Sequence, residues 1–119
     1  MVLVPDAVLF SLATTQFNGL LAFYRRLLGD PIQLAENKHA TFALPGSRLV
    51  VWSSQERVKP GNALELCLQV GNLEAAMAAV ADWVVLESVN QASHGRETFF
   101  RDPDGNRIIL YQPHARDLM

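Results

Sequence analysis

The chain has 119 residues, half of them hydrophobic and 18% charged, with a formal net charge of −2. That is globular composition, enough for one domain or two half-size modules sharing a core. It lacks the basic excess of a nucleic-acid binder, and no apolar run is long enough to span a membrane.

The stretch Ala7 to Ala13 is short and apolar apart from Ser11 and is predicted as a strand. From Phe17 to Leu28 the apolar residues Phe17, Leu20, Leu21, Tyr24, Leu27 and Leu28 recur at helical spacing. Gly29 is a natural stop, and Thr14 or Thr15 is the expected N-cap. Pro31 opens an extended segment to about Glu36, Asn37-Lys38 supplies a turn, and Phe42 and its neighbours lead into Pro45-Gly46. Arg48 to Ser53 then returns as a strand. Ser54 to Asn62 is polar and carries Pro60-Gly61, the composition of a linker.

The order then repeats. Ala63 to Val70 alternates, with Leu64, Leu66, Leu68 and Val70 on one face and Glu65, Cys67 and Gln69 on the other. Asn72 is placed to cap a helix from Leu73 to Ala81, with Glu74 in its first turn. Trp83 to Val89 is predicted as a strand, Asn90 to Gly95 as a polar loop or turn, and Glu97 to Arg101 as a strand. Asn106 to Gln112 is the last predicted strand. The cluster Asp102-Pro103-Asp104-Gly105-Asn106 sits between two β-prone runs. It reads as a hairpin turn in which the Asp102 side chain caps the backbone, a structural task that outweighs any catalytic role for Asp102 or Asp104.

The hairpin is written twice. With one gap, Phe42 falls on Phe100, Pro45 on Pro103, Gly46 on Gly105, Ser47 on Asn106, Arg48 on Arg107 and Trp52 on Tyr111. Leu49, Val50 and Val51 fall on Ile108, Ile109 and Leu110. The chain is thus expected to be one domain over 1–119, built from module one (1–54), a linker (55–62) and module two (63–119), each β-α-β-β-β. One face of each sheet covers its helix. The other, bearing Arg107, Ile109 and Tyr111 in the last strand, is expected to line a cleft of the kind that holds small molecules.

The tandem order, the helix end Phe23-Tyr24 to Leu28-Gly29, and the hairpin Phe100 to Asn106 resemble the vicinal oxygen chelate superfamily over essentially the whole chain. That group includes glyoxalase I, extradiol dioxygenases, fosfomycin-resistance proteins and bleomycin-resistance proteins. The resemblance implies an α+β fold in which tandem βαβββ modules form a curved eight-stranded mixed sheet around a cleft. It also implies metal ligands at the positions held here by Leu9, Val50, Glu65 and Ile109. Three of the four are aliphatic, and a divalent ion is not held by one carboxylate, so no metal or other cofactor is expected. His39, His94 and His114 read as surface histidines beside turns or in the tail.

The favoured expectation is therefore a metal-free binding protein that sequesters a small organic, cationic ligand. The expected binding residues are Glu65, Trp52, Tyr111, Arg48, Arg107, Cys67 and Ser11. Two alternatives stand beside it: a metal-dependent lyase or dioxygenase with a rebuilt site, and a cofactor-free enzyme using Glu65 as general base. The expected partners are the ligand and a second copy in a homodimer, with neither nucleic acid nor membrane. Cys67 is the lone cysteine, which rules out an internal disulfide and fits a reducing, cytoplasmic setting. The N-terminus has no basic flank ahead of a long apolar region, so no signal peptide is expected.

Overall fold

The computed structural model describes residues 2–55 and 65–114. The expected linker turn Pro60-Gly61 and Leu64 lie outside the described residues. The chain divides into two compact units, Met1–Lys59 and Pro60–Met119.

Unit one contains β1 (Leu9–Thr14), α1 (Phe17–Leu28), β2 (Gln33–Ala35), β3 (His39–Leu44) and β4 (Ser47–Ser53). Its four strands run in the order β1-β4-β3-β2. β1 pairs parallel to β4, and the other two pairings are antiparallel. The helix forms where the 3.6-residue spacing placed it, burying Phe17, Leu20 and Tyr24. Its cap differs from expectation. The N-cap is Gln16, and Thr14 lies further upstream, its Oγ1 accepting from the Gln16 N–H at 3.0 Å. Strand alternation sends Leu12, Leu49, Val51, Ala40 and Phe42 to the helix side, where all are buried. The Pro45-Gly46 connection is a two-residue loop closed by the Leu44 and Ser47 pair, with Gly46 at φ 67°. His39, expected in or beside a turn, begins β3 opposite Trp52.

Unit two contains β5 (Glu65–Gln69), α2 (Leu73–Val80), β6 (Asn90–Ala92), β7 (Gly95–Arg101) and β8 (Arg107–Pro113). The strand order is β5-β8-β7-β6, with β5 parallel to β8. Asn72 caps α2, its Oδ1 accepting from Ala75 N at 3.0 Å, and Gln112 Oε1 accepts from Leu73 N at 2.7 Å. The guanidinium of Arg96 on β7 pairs with Glu74 in the first turn of α2. Leu66, Ile108, Leu110 and Phe100 are buried beneath the helix.

Two boundaries depart from the sequence reading. The strand expected over Trp83 to Val89 does not form. Val80 O receives both Trp83 N and Val84 N at 3.1 Å, so the chain coils around the end of α2. Extended contact with β7 is limited to Glu87, whose N–H donates to Phe99 O and whose carbonyl accepts from Thr98 Oγ1. The expected loop or turn over Asn90 to Gly95 has its turn at Ser93-His94 but also supplies β6 and the first residue of β7. Gly95 is required there: a Cβ would stand 2.3 Å from Gln112 O and 2.9 Å from Pro113 Cα.

The hairpin turn forms as read. Asp102 Oδ1 accepts from Asp104 N and Asn106 N, and Oδ2 accepts from Asn106 Nδ2, each at 2.9 Å. Gly105 sits at φ 86°. The loop between the paired Arg101 and Arg107 is five residues.

Candidate functional site

Register sorts the open face of the unit-two sheet into three rows. Glu65, Arg107 and Arg101 stand side by side; then Cys67, Ile109 and Phe99; then Gln69, Tyr111, Glu97 and Asn90. Within the first row Arg107 Nη1 lies 3.3 Å from Glu65 Oε2. The flat of the same guanidinium covers the Phe99 ring, Cζ being 4.3 Å from its centroid. Arg101 approaches that ring at 5.6 Å and donates from Nη1 to Gly105 O at 2.8 Å. Arg107 is thereby held by a carboxylate at its tip and an aromatic ring beneath it.

A cavity of about 250 Å³ opens over this face, lined by Ser88, Asn90, Glu97, Thr98, Phe99, Arg107 and Ile109. Its floor is aromatic and aliphatic. Its carboxylate is Glu97, with His94 Nε2 at the outer limit of ion pairing, 4.0 Å. Tyr111 is the register neighbour of Glu97: its phenol donates to His94 O at 3.2 Å and its ring lies 5.3 Å from the His94 ring. Cys67 reports the local field. Its thiol is pushed above the usual thiol range, first by burial and then by the negative charges of Glu97 and Glu65.

The open face of the unit-one sheet is built on the same plan. Its rows are Leu9, Arg48 and Ala43; Ser11, Val50, Thr41 and Gln33; and Ala13, Trp52, His39 and Ala35. Trp52 Nε1 donates to Ser11 Oγ at 2.8 Å, which fixes the indole while leaving it 41% exposed. Leu9 is the register neighbour of Arg48 as Glu65 is of Arg107, so the repeat read from the sequence holds residue by residue in both sheets.

The expected binding residues thus fall into two groups. Glu65, Cys67, Arg107 and Tyr111 share the unit-two face, and Ser11, Arg48 and Trp52 share the unit-one face. Among these residues Glu65 is the one acid. Its register neighbour is a cation, and its side chain is 56% exposed. Sequence reasoning missed Glu97 and Phe99 as pocket residues. The signal was available, since Glu97 and Phe99 stand two residues apart, on one face, within the predicted strand Glu97 to Arg101.

The donor set does not fit a divalent metal. Leu9, Val50 and Ile109 offer no lone pair, Glu65 is engaged by Arg107, and among the described residues no three His, Cys, Asp or Glu side chains converge.

Neither a family model nor a curated protein matches this sequence. Solved structures do. An antibiotic-binding protein, TnmS3, from a Streptomyces species is 24% identical, covers 96% of this chain and 100% of its own, and superposes with a TM-score of 0.73. A glyoxalase/bleomycin resistance protein/dioxygenase from Nocardioides is 18% identical, covering 97% of this chain and 87% of its own, at a TM-score of 0.79. A lactoylglutathione lyase from Agrobacterium tumefaciens is 17% identical, covering 91% and 94%, at 0.72. With two mixed four-stranded sheets, each backed by one helix, the chain has the α+β fold of the glyoxalase and bleomycin resistance proteins.

Proposed function

We propose that this protein is a metal-free small-molecule-binding protein of the glyoxalase/bleomycin-resistance type, and that the unit-two face takes a small organic cation. The observation carrying this reading is the coincidence of an apolar floor, Phe99 and Ile109, with a carboxylate, Glu97, on the wall of one cavity. The Cys67 thiol beside Ile109, raised first by burial, is raised further by Glu97 and Glu65. Arg107 offsets Glu65 directly, whereas Glu97 keeps a carboxylate on the cavity wall for a ligand. An ammonium group placed there gains a charge-assisted contact while its organic body covers Ile109 and Phe99. The antibiotic-binding neighbour supports the class of function, since the same fold serves there to bind a compound.

Sequestration needs shape and charge and no chemical step, which accords with aliphatic side chains at Leu9, Val50 and Ile109. A homodimer in the cytoplasm completes the proposal. The exposed apolar side chains Val8, Phe10 and Leu34 support the first, and an unpaired Cys67 supports the second. Light scattering at micromolar concentration tests the dimer.

The test of binding is calorimetry with phenyltrimethylammonium and its neutral isostere tert-butylbenzene. The cation binds and the isostere binds at least about tenfold more weakly, and Glu97→Gln weakens the cation by about tenfold, one charge-assisted contact. Equal affinity of the two probes, or an unchanged affinity in Glu97→Gln, overturns the reading.

A further inference from the structure

The repeat supplies its own control for one residue, Arg48. Its counterpart Arg107 is engaged twice, at its tip by Glu65 and beneath its plane by Phe99. In unit one the residue in the place of Glu65 is Leu9, and the residue in the place of Phe99 is Thr41. Arg48 is exposed and makes no ion pair among the described residues. No strand residue on that open face is acidic: its rows hold Leu9, Ser11, Ala13, Gln33, Ala35, His39, Thr41, Ala43, Val50 and Trp52 around the guanidinium. Glu36, the acidic residue next to β2, lines a groove with Phe17 and Leu21 of α1, on the helix side of the sheet. The unit-one face therefore carries the cation without the carboxylate beside it.

The second observation is the indole. Trp52 lies four residues from Arg48 on the same strand face, about 13 Å along β4. Its one polar atom is already satisfied by Ser11, so its exposed surface offers stacking and no unmet hydrogen bond. Val50 lies between the two, flanked by Ser11 and Thr41. An aromatic body resting on Val50 and the Trp52 indole carries an acidic substituent to the guanidinium, which binds carboxylate or sulfonate in two-pronged fashion.

We infer that the unit-one face binds a planar aromatic anion, a carboxylate or sulfonate, through Arg48 and Trp52. This goes beyond the cation pocket of unit two and stands or falls without it. The two copies of one module then differ in the sign of the ligand charge they select, through the exchange of Glu65 for Leu9 and of Phe99 for Thr41.

The experiment uses the Trp83→Phe chain, in which Trp52 is the one tryptophan left, titrated with 2-naphthoate and with the neutral 2-naphthalenemethanol. The expected result is saturable quenching of Trp52 by naphthoate, with naphthalenemethanol at least about tenfold weaker. Arg48→Gln weakens naphthoate by about tenfold. Leu9→Glu does the same while leaving Arg48 in place, because it rebuilds the pair that unit two has. That substitution is at a side chain 57% exposed, and far-ultraviolet circular dichroism checks the fold of each variant. Glu97→Gln leaves naphthoate affinity within about twofold and alters only the response to phenyltrimethylammonium, which separates this inference from the cation reading. Absence of saturable quenching up to millimolar naphthoate, parental affinity in Arg48→Gln or in folded Leu9→Glu, or loss of naphthoate binding in Glu97→Gln overturns it.

Discussion

Replacing Asp102 by alanine deletes the acceptor on which the second hairpin turns. Asp102 is 4% exposed and Asn106 is 1% exposed, so two of the donors it receives, Asn106 N and Asn106 Nδ2, are closed off from water. The third donor, Asp104 N, is only part-buried and can turn to solvent. Each closed donor left without an acceptor costs about 1–3 kcal/mol, so after local relaxation the expected loss is about 3 kcal/mol. Asp102→Asn keeps Oδ1 for both backbone donors and forfeits the contact to Asn106 Nδ2. It should cost about 1 kcal/mol. Urea denaturation followed by circular dichroism measures both. With a slope of about 2 kcal/mol/M, alanine lowers the midpoint by about 1.5 M and asparagine by about 0.5 M. The slope should be unchanged, which separates loss of stability from a change in the unfolded ensemble. An alanine variant within about 0.5 kcal/mol of the parent would show that water replaces the carboxylate freely. Asparagine as damaging as alanine would show that the charge, and not the set of acceptors, holds the turn.

The Cys67 thiol is raised, so at pH 8 its thiolate fraction lies below that of a free cysteine and iodoacetamide modifies it more slowly. Glu97→Gln removes one of the charges that raise it, so the thiolate fraction and the rate increase; an unchanged rate in that variant would refute the electrostatic account. Asn72→Ala deletes the acceptor for Ala75 N and should lower stability by about 1 kcal/mol in the same denaturation assay, while Asn72→Asp should be nearly neutral. Gly95→Ala forces a Cβ to within 2.3 Å of the Gln112 carbonyl, so it should weaken the β7–β8 pairing and speed amide exchange there, whereas Gly71→Ala, which meets nothing within 4 Å, should not.

What the sequence made legible follows periodicity. The alternation of Glu65, Cys67 and Gln69 with Leu66 and Leu68 fixed which side of β5 faces α2, and the same logic sorted Arg107, Ile109 and Tyr111 from Ile108 and Leu110. The α1 helix was legible because its apolar residues recur at one spacing for three turns. The Trp83 to Val89 segment was not. Val84, Val85 and Val89 look like strand, yet where a strand begins depends on what the preceding helix does with its last carbonyls, and Val80 O takes two donors there. β6 was illegible for the opposite reason. Asn90-Gln91-Ala92 is polar and short, and it pairs because the Ser93-His94 turn and the bare Cα of Gly95 bring it against β7. In the candidate site, Glu65 was named from the family resemblance and Arg107 from the repeat, but that they touch required the register of strands 42 residues apart.

The two copies of the hairpin also order events in time. The parallel pairs β1–β4 and β5–β8 join strands about 40 residues apart, and such ladders wait on a costly loop closure. The antiparallel hairpins β3–β4 and β7–β8 need only their own turns, so each unit has a local nucleus onto which its first strand and helix later dock. The nuclei are unequal. A two-residue turn at Pro45-Gly46 closes on fewer free dihedrals than the five-residue loop at 102–106, which depends on Asp102 to gather its amides. Unit one should therefore zip first, and lesions at Asp102 should slow the refolding of unit two while leaving the earlier phase unchanged.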